Sequence, residues 1–200
     1  EPVNIGGVVV KNATLHNEDF IKGLNSEGES IRDGADIRIG DQVHIIRSGD
    51  VIPKVVDVNI KDRKKDSQAF IFPENCPICG SPAKRELNES SGKVSSVRRC
   101  TSGLYCNSQV LGSLEFFVSR DAMNIEGFGG KSMELFYESG FIKEPGDIYT
   151  LQTRQSQGEI DILSLEGWGE LSMNNLFQSI NQRRSVSLDK FIYSLGIRHI

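Results

Sequence analysis

Two periodicities divide the chain. From Val8 to Val58 apolar and polar positions alternate in short runs broken by glycine and aspartate, the period of half-buried strands. Val43-His44-Ile45-Ile46-Arg47 and the run from Val51 to Val58 read as strands joined by the turn Ser48-Gly49-Asp50. Pro53 has no N–H to give a ladder, so it marks an edge or a bulge. Several such strands in succession predict a small five-stranded β-barrel. A helix over Ala13 to Ile21 interrupts them, with Thr14 or Asn17 as N-cap and Glu18 and Asp19 in its first turn. From Val110 to Phe117 the apolar spacing becomes helical, and it stays so to the end.

The helical part contains a repeat. Ile125-Glu126-Gly127-Phe128-Gly129 returns as Leu165-Glu166-Gly167-Trp168-Gly169, Ser132-Met133 as Ser172-Met173, and Leu135-Phe136 falls close to Leu176-Phe177. Each copy predicts an apolar residue, a Gly-aromatic-Gly turn and an amphipathic helix. Glycine lets the main chain bend sharply and approach a ligand without a Cβ in the way. The first N–H groups of the next helix have no intrahelical acceptor, so they and the helix dipole face an anion. A nucleic-acid phosphate suits such a site whatever the base sequence. This helix-hairpin-helix device nominates Gly127, Gly129, Lys131, Gly167 and Gly169 as DNA contacts, with Arg183 and Arg184 adding charge. Leu195-Gly196-Ile197-Arg198 opens a third copy and adds Gly196 and Arg198. Phe128 and Trp168 are expected to plug the core below.

Charge changes the picture by segment. Across 200 residues, 23 Lys and Arg against 27 Asp and Glu give −4, which excludes a nucleic-acid binder working by bulk charge. Residues 71–110 alone are net positive, and they hold all four cysteines. The predicted organisation is therefore a β-barrel over 1–70, a metal finger over 71–110 and an all-α helix-hairpin-helix domain over 111–200. Lys61 to Ser67 and Asp121 are the candidate hinges. No apolar run has membrane-spanning length, and the opening Glu1-Pro2-Val3-Asn4 lacks a basic segment of the signal-peptide kind. The absence of an initiator methionine suggests a piece of a longer protein.

Cys76-Pro77-Ile78-Cys79-Gly80 is a metal knuckle, two sulfurs on one tight turn, and Cys100 and Cys106 form a second pair. Four thiolates satisfy a tetrahedral Zn²⁺ and leave no open position, which is a structural site. Arg85, Arg98 and Arg99 are expected to offset the formal −2 of that cluster and to attract phosphate. Disulfides are the alternative, disfavoured by the absence of secretory features, and a redox pair would need a βαβ setting that the flanks lack. In the barrel, His16, Arg47 and Lys54 are candidate DNA contacts, a solvated strand face or a place beside a cap being the plainer reading of each.

The strings ATLHNEDFI, DIRIGDQVHIIRSGDVIPKV, CPICGSP, NIEGFGGKS, LEGWGELSMNNL and YSLGIRH, in this order, closely resemble the C-terminal half of the bacterial NAD⁺-dependent DNA ligases. The resemblance implies an oligonucleotide-binding (OB) barrel, a zinc finger ligated by Cys76, Cys79, Cys100 and Cys106, and the opening of a helix-hairpin-helix domain. It implies a monomeric enzyme of the bacterial cytoplasm, at the nucleoid, sealing nicks during DNA replication and repair of DNA damage. That enzyme transfers AMP from NAD⁺, with Mg²⁺, through a lysine of an adenylation domain. No Lys-x-Asp-Gly string occurs here, so NAD⁺ and Mg²⁺ are expected outside this chain, and no catalytic residue is assigned within it. The expected role is to clamp nicked duplex DNA against the adenylation domain, the chain alone being inactive. Three features depart from the family: a longer Cys79–Cys100 spacing, Asn107 where proline is usual, and Leu171 where lysine is usual. A non-catalytic zinc-bearing DNA adaptor, or a zinc-stabilised protein-interaction module, would use the same parts.

Overall fold

The computed structural model describes residues 1–15, 17–46, 52–88 and 92–197. The chain forms two compact units, Glu1–Thr101 and Ser102–Ile200. No helix among the described residues is long and apolar enough to cross a membrane.

In the first unit, β1 (Val3–Ile5) pairs antiparallel with β2 (Val8–Val10) around Gly6 and Gly7, both at positive φ. Helix α1 (Glu18–Lys22) starts where the Asn17 side chain accepts from the Phe20 amide at 3.0 Å. It ends at Gly23, whose φ of 74° needs glycine, and where a Cβ would sit 2.5 Å from the Ala35 carbonyl oxygen. The helix is shorter than its sequence predicts because Thr14 is drawn into strand-like pairing. Its amide donates to Pro53 O and its carbonyl accepts from the Val55 amide.

Strand β3 (Val43–Ile46) pairs antiparallel with β4 (Lys54–Val58), with an irregularity between His44 and Ile45. Ile37, Val55 and Val58 are the buried centre, with Ala13, Phe20, Ala35, Val43 and Ile45 packed on it. Five strands closing on one another are not found among the described residues of this segment. The two ladders, β1–β2 and β3–β4, stand as separate sheets, supplemented by single bridges such as Thr14 to Lys54 and Arg38 to Ala69. Between them, Asn25 Oδ1 accepts from the amides of both Glu27 and Glu29, shaping a turn closed by the antiparallel bridge of Leu24 to Ser30.

The expected hinge at Lys61 to Ser67 is tied down. Arg63, only 12% exposed, grips Asp36 at 2.6 Å and Asp41 at 2.7 Å, and Arg38 Nη1 donates to Ser67 O. Such a desolvated fork holds a segment in place. Beyond it, β5 (Ala83–Leu87) and β6 (Val94–Cys100) form an antiparallel hairpin.

The second unit is helical: α2 (Asn107–Val118), α3 (Gly130–Glu138), α4 (Pro145–Ser156), α5 (Glu170–Gln182) and α6 (Leu188–Ser194). Its core joins Leu114, Phe117, Met133, Phe136, Ile148, Leu151, Leu176 and Ile180, among others. Phe136 lies at the centre and is fully buried. Phe128 packs edge-on against it at 5.4 Å between ring centroids, and Trp168 at 4.9 Å. Both hairpin aromatics therefore plug the core, as their sequence setting predicts. Helix α4 begins with Pro145 after a capping box in which Asp147 accepts from the Glu144 amide. Truncation of Phe136 to alanine removes the shared partner of both aromatics. Equilibrium urea denaturation of Phe136→Ala is expected to show a loss of about 4 kcal/mol.

Candidate metal centre and nucleic-acid interface

The four cysteines converge. Their Sγ atoms all lie within 4.8 Å of one another, and Cys79 and Cys100 are 3.5 Å apart. No disulfide joins them. Four sulfurs at ~2.3 Å from one Zn²⁺ would be ~3.8 Å apart, so the cluster has the size of a tetrahedral metal site. Local turns create it. The Gly80 amide donates to Cys76 O and the Cys76 amide to Ser81 O, closing the first knuckle around Gly80 at φ 72°. The backbone of residues 103–105 then turns so that Cys106 leads into α2, where it is buried. The Ser81 hydroxyl and amide, with Cys100 and Cys76 beside them, hold the Cys79 thiol down at about 6. A thiol so lowered is a ready metal ligand at neutral pH.

The arginines near the cluster are placed otherwise than their charge suggested. Arg98 clasps the buried Glu18 with two bonds, Nε to Oε2 at 2.5 Å and Nη2 to Oε1 at 3.1 Å. Arg85 clasps Asp19, Nη2 to Oδ2 and Nη1 to Oδ1, both at 2.8 Å. Arg99 stands 3.8 Å from Glu86. The first two are committed to carboxylates inside the unit, so the expected phosphate-attracting surface is not built from them. Sequence reasoning missed Glu18 and Asp19 because their partners lie far along the chain.

The two glycine turns share one surface. Gly127 and Gly167, both exposed, line a single concavity of about 1370 Å³ together with Lys131, Ser132, Trp168 and Ser172. Gly127 has φ 105° and Gly167 φ 80°, conformations that favour glycine. In the second copy the Trp168 amide donates to Leu165 O, closing a tight turn. In the first, the Glu126 amide donates to Ser179 Oγ at 2.8 Å, and a Cβ on Gly127 would lie 3.2 Å from Leu176. The first turn thus rests on α5, the helix of the second copy.

Gly129 and Gly169 are exposed and immediately precede α3 and α5. At α5 the Gly169 amide is taken by Ser172 Oγ at 3.0 Å. Lys131 is exposed on the first helix, and the corresponding second-copy position is Leu171, 76% exposed. Gly196 is exposed after α6, with its amide donating to Tyr193 O. Lys54 is half-buried in β4. His16, Arg47 and Arg198 lie outside the described residues.

Arg183, which lines the concavity, and the exposed Arg184 also have structural partners. Arg183 Nε donates to Asn124 O, and Arg184 donates to Asn181 Oδ1 and Tyr149 O, tying the end of α5 to its neighbours. The concavity also carries Glu126, Glu134, Glu138 and Glu166. Its cations are Lys131 and Arg183.

Comparison with known proteins finds a family match at the start of the chain and relatives along all of it. Residues 1–67 match the NAD-dependent DNA ligase OB-fold domain. Across its whole length the chain is 50% identical to a DNA ligase of Sinorhizobium medicae (strain WSM419), covering 28% of that protein. It is 51% identical to a DNA ligase of Ruegeria pomeroyi, over 26% of that protein, and 52% identical to one of Nitrobacter hamburgensis, over 27%. The chain is similar over its whole length to a part of these DNA ligases, and over residues 1–67 to the OB-fold domain of the NAD-dependent ones. It spans little more than a quarter of the length of the curated relatives it matches. The OB-fold match accounts for the strand-rich beginning, and the four clustered cysteines are consistent with a metal site.

The Glu18 carboxyl, 2% exposed, is held by Arg98 and then Lys22 down to about 2 from an ordinary 4.5. Its stabilisation is fully present above pH 4.5 and is lost as pH falls towards 2. The free-energy gap between wild type and Glu18→Gln, followed by urea denaturation at a series of pH values, is expected to be about 3 kcal/mol at neutral pH. It should close through that acid window.

Proposed function

We propose that this chain is the DNA-gripping portion of an NAD⁺-dependent DNA ligase, holding nicked duplex while AMP transfer from NAD⁺, with Mg²⁺, takes place on an adenylation domain elsewhere in the protein. The observation that carries the proposal is the shared concavity, where two glycine turns of one repeat open two helices beside Lys131. These form the helix-hairpin-helix part of a three-part organisation, with a barrel over 1–70 and a finger over 71–110.

Binding by this surface is independent of base sequence, because main-chain amides meet phosphates and no side chain reads base edges. Four glutamates in the concavity repel any phosphate that strays from the turns, so the grip is local. Gly127, Gly129 and Lys131 form the stronger contact. At Gly167 and Gly169 the amide held by Ser172 and the apolar Leu171 make a weaker one. Lys54 and Gly196 are further contacts on this reading.

Cys76, Cys79, Cys100 and Cys106 hold a structural Zn²⁺. The ion supplies positive charge that keeps four thiolates together, and the all-sulfur donor set leaves it no open position for reaction chemistry. The protein works as a monomer in the bacterial cytoplasm.

Two measurements test this. Metal analysis of reduced protein is expected to return about one zinc per chain, and none would defeat the metal assignment. Affinity for nicked duplex should fall as salt rises, and Lys131→Ala should lower the slope of log K against log salt by about one. An affinity flat across salt would defeat the phosphate grip.

A further inference from the structure

The register of β5 and β6 sets two arginines directly opposite each other, Arg85 across from Arg98. Like charges in that position destabilise an antiparallel pair. Two adjacent acids of α1 answer them, each with a bidentate fork: Glu18 to Arg98 and Asp19 to Arg85. Both carboxylates are buried, at 3% and 8% exposure. The arginines are further fixed by backbone, Arg98 Nη1 donating to Ala83 O and Arg85 Nε to Ser95 O.

This same register places the sulfurs. Ala83 lies opposite Cys100, and the Ala83 amide donates to Glu74 O, beside the Cys76–Cys79 knuckle. A slip of two residues along β6 would carry Cys100 away by ~7 Å, more than the cluster can absorb. Resting on the metal reading above, we propose that Glu18 and Asp19 of α1 are positioning residues for the metal: through Arg98 and Arg85 they lock the β5–β6 hairpin in the one register that brings Cys100 to Cys79. The finger is therefore not a self-sufficient module, and its hold on the ion depends on a helix of the barrel.

The test uses the whole 200-residue chain loaded with zinc and follows transfer of the ion to a chromophoric chelator. Arg98→Met and Glu18→Gln are expected to release zinc about tenfold faster or more, as removal of outer partners of metal ligands does. Arg99→Met, a charge removed equally near Cys100 but not bound to α1, should stay within about twofold of wild type. Reversing the pair, Glu18→Arg with Arg98→Glu, should recover most of the retention. Because a lone buried charge can unfold the unit, the double variant Glu18→Met with Arg98→Met, which leaves no orphan, is measured as well. Its release should be no faster than that of either single variant. Cobalt-loaded samples report the ligand set independently, and the thiolate bands of Arg98→Met should weaken.

Wild-type release rates in both single variants, or equal acceleration by Arg99→Met, would overturn the positioning role while leaving the metal site standing. A wild-type chain that takes up no metal at all would overturn both.

Discussion

Both copies of the glycine turn hang on one side chain, Phe136, with Phe128 on one edge and Trp168 on another. Aromatic packing of this kind is directional as well as apolar, so it fixes spacing as much as it stabilises. With the aromatics pointing into the core, the flanking glycines are left to face outward, and the backbone of each turn becomes surface. A phosphate-gripping surface made of main chain needs that division of labour. The side chain between two glycines anchors the loop, while the glycines keep everything else out of the ligand's way.

The second unit's acidic balance fits the same logic. An extended basic patch would bind any polyanion, whereas amides aimed from two fixed turns bind only where the phosphates match their spacing. Arg183 and Arg184 show the chain spending cations on structure: both cap or cross-link helix ends. The first unit does likewise with Arg63, Arg85 and Arg98, each forked onto carboxylates. Lys131 stays exposed on the concavity, beside the two glycine turns.

Short-range features were legible in the sequence. The Asn17 cap, the Cys76–Cys79 knuckle and each glycine turn depend on residues a few positions apart, while the repeat and the second cysteine pair show in the spacing of those short motifs. Hidden from it were the contacts that join distant segments. Nothing near Arg63 announces Asp36 and Asp41, so its basic stretch read as a hinge. Nothing near Arg98 announces Glu18, so an arginine beside the cysteine cluster read as a phosphate ligand. In both cases composition reported the charge correctly, and folding had already matched it. The strand-rich beginning was legible as strands, and the family match to an OB-fold domain agrees with it, while which strands pair, β1 with β2 and β3 with β4, needed the folded structure. The asymmetry of the repeat, with the first turn resting on Leu176 and Ser179, likewise needed the packed structure.

The central claim is that duplex DNA meets backbone at the two turns. Amide chemical shifts of isotope-labelled protein titrated with nicked duplexes of unrelated sequence test it most directly. The account predicts that the amides of Gly129 to Ser132 move most, those of Gly169 to Ser172 move less, and the pattern is the same for every base sequence. Shifts confined to other surfaces, or a pattern that changes with the bases, would contradict it.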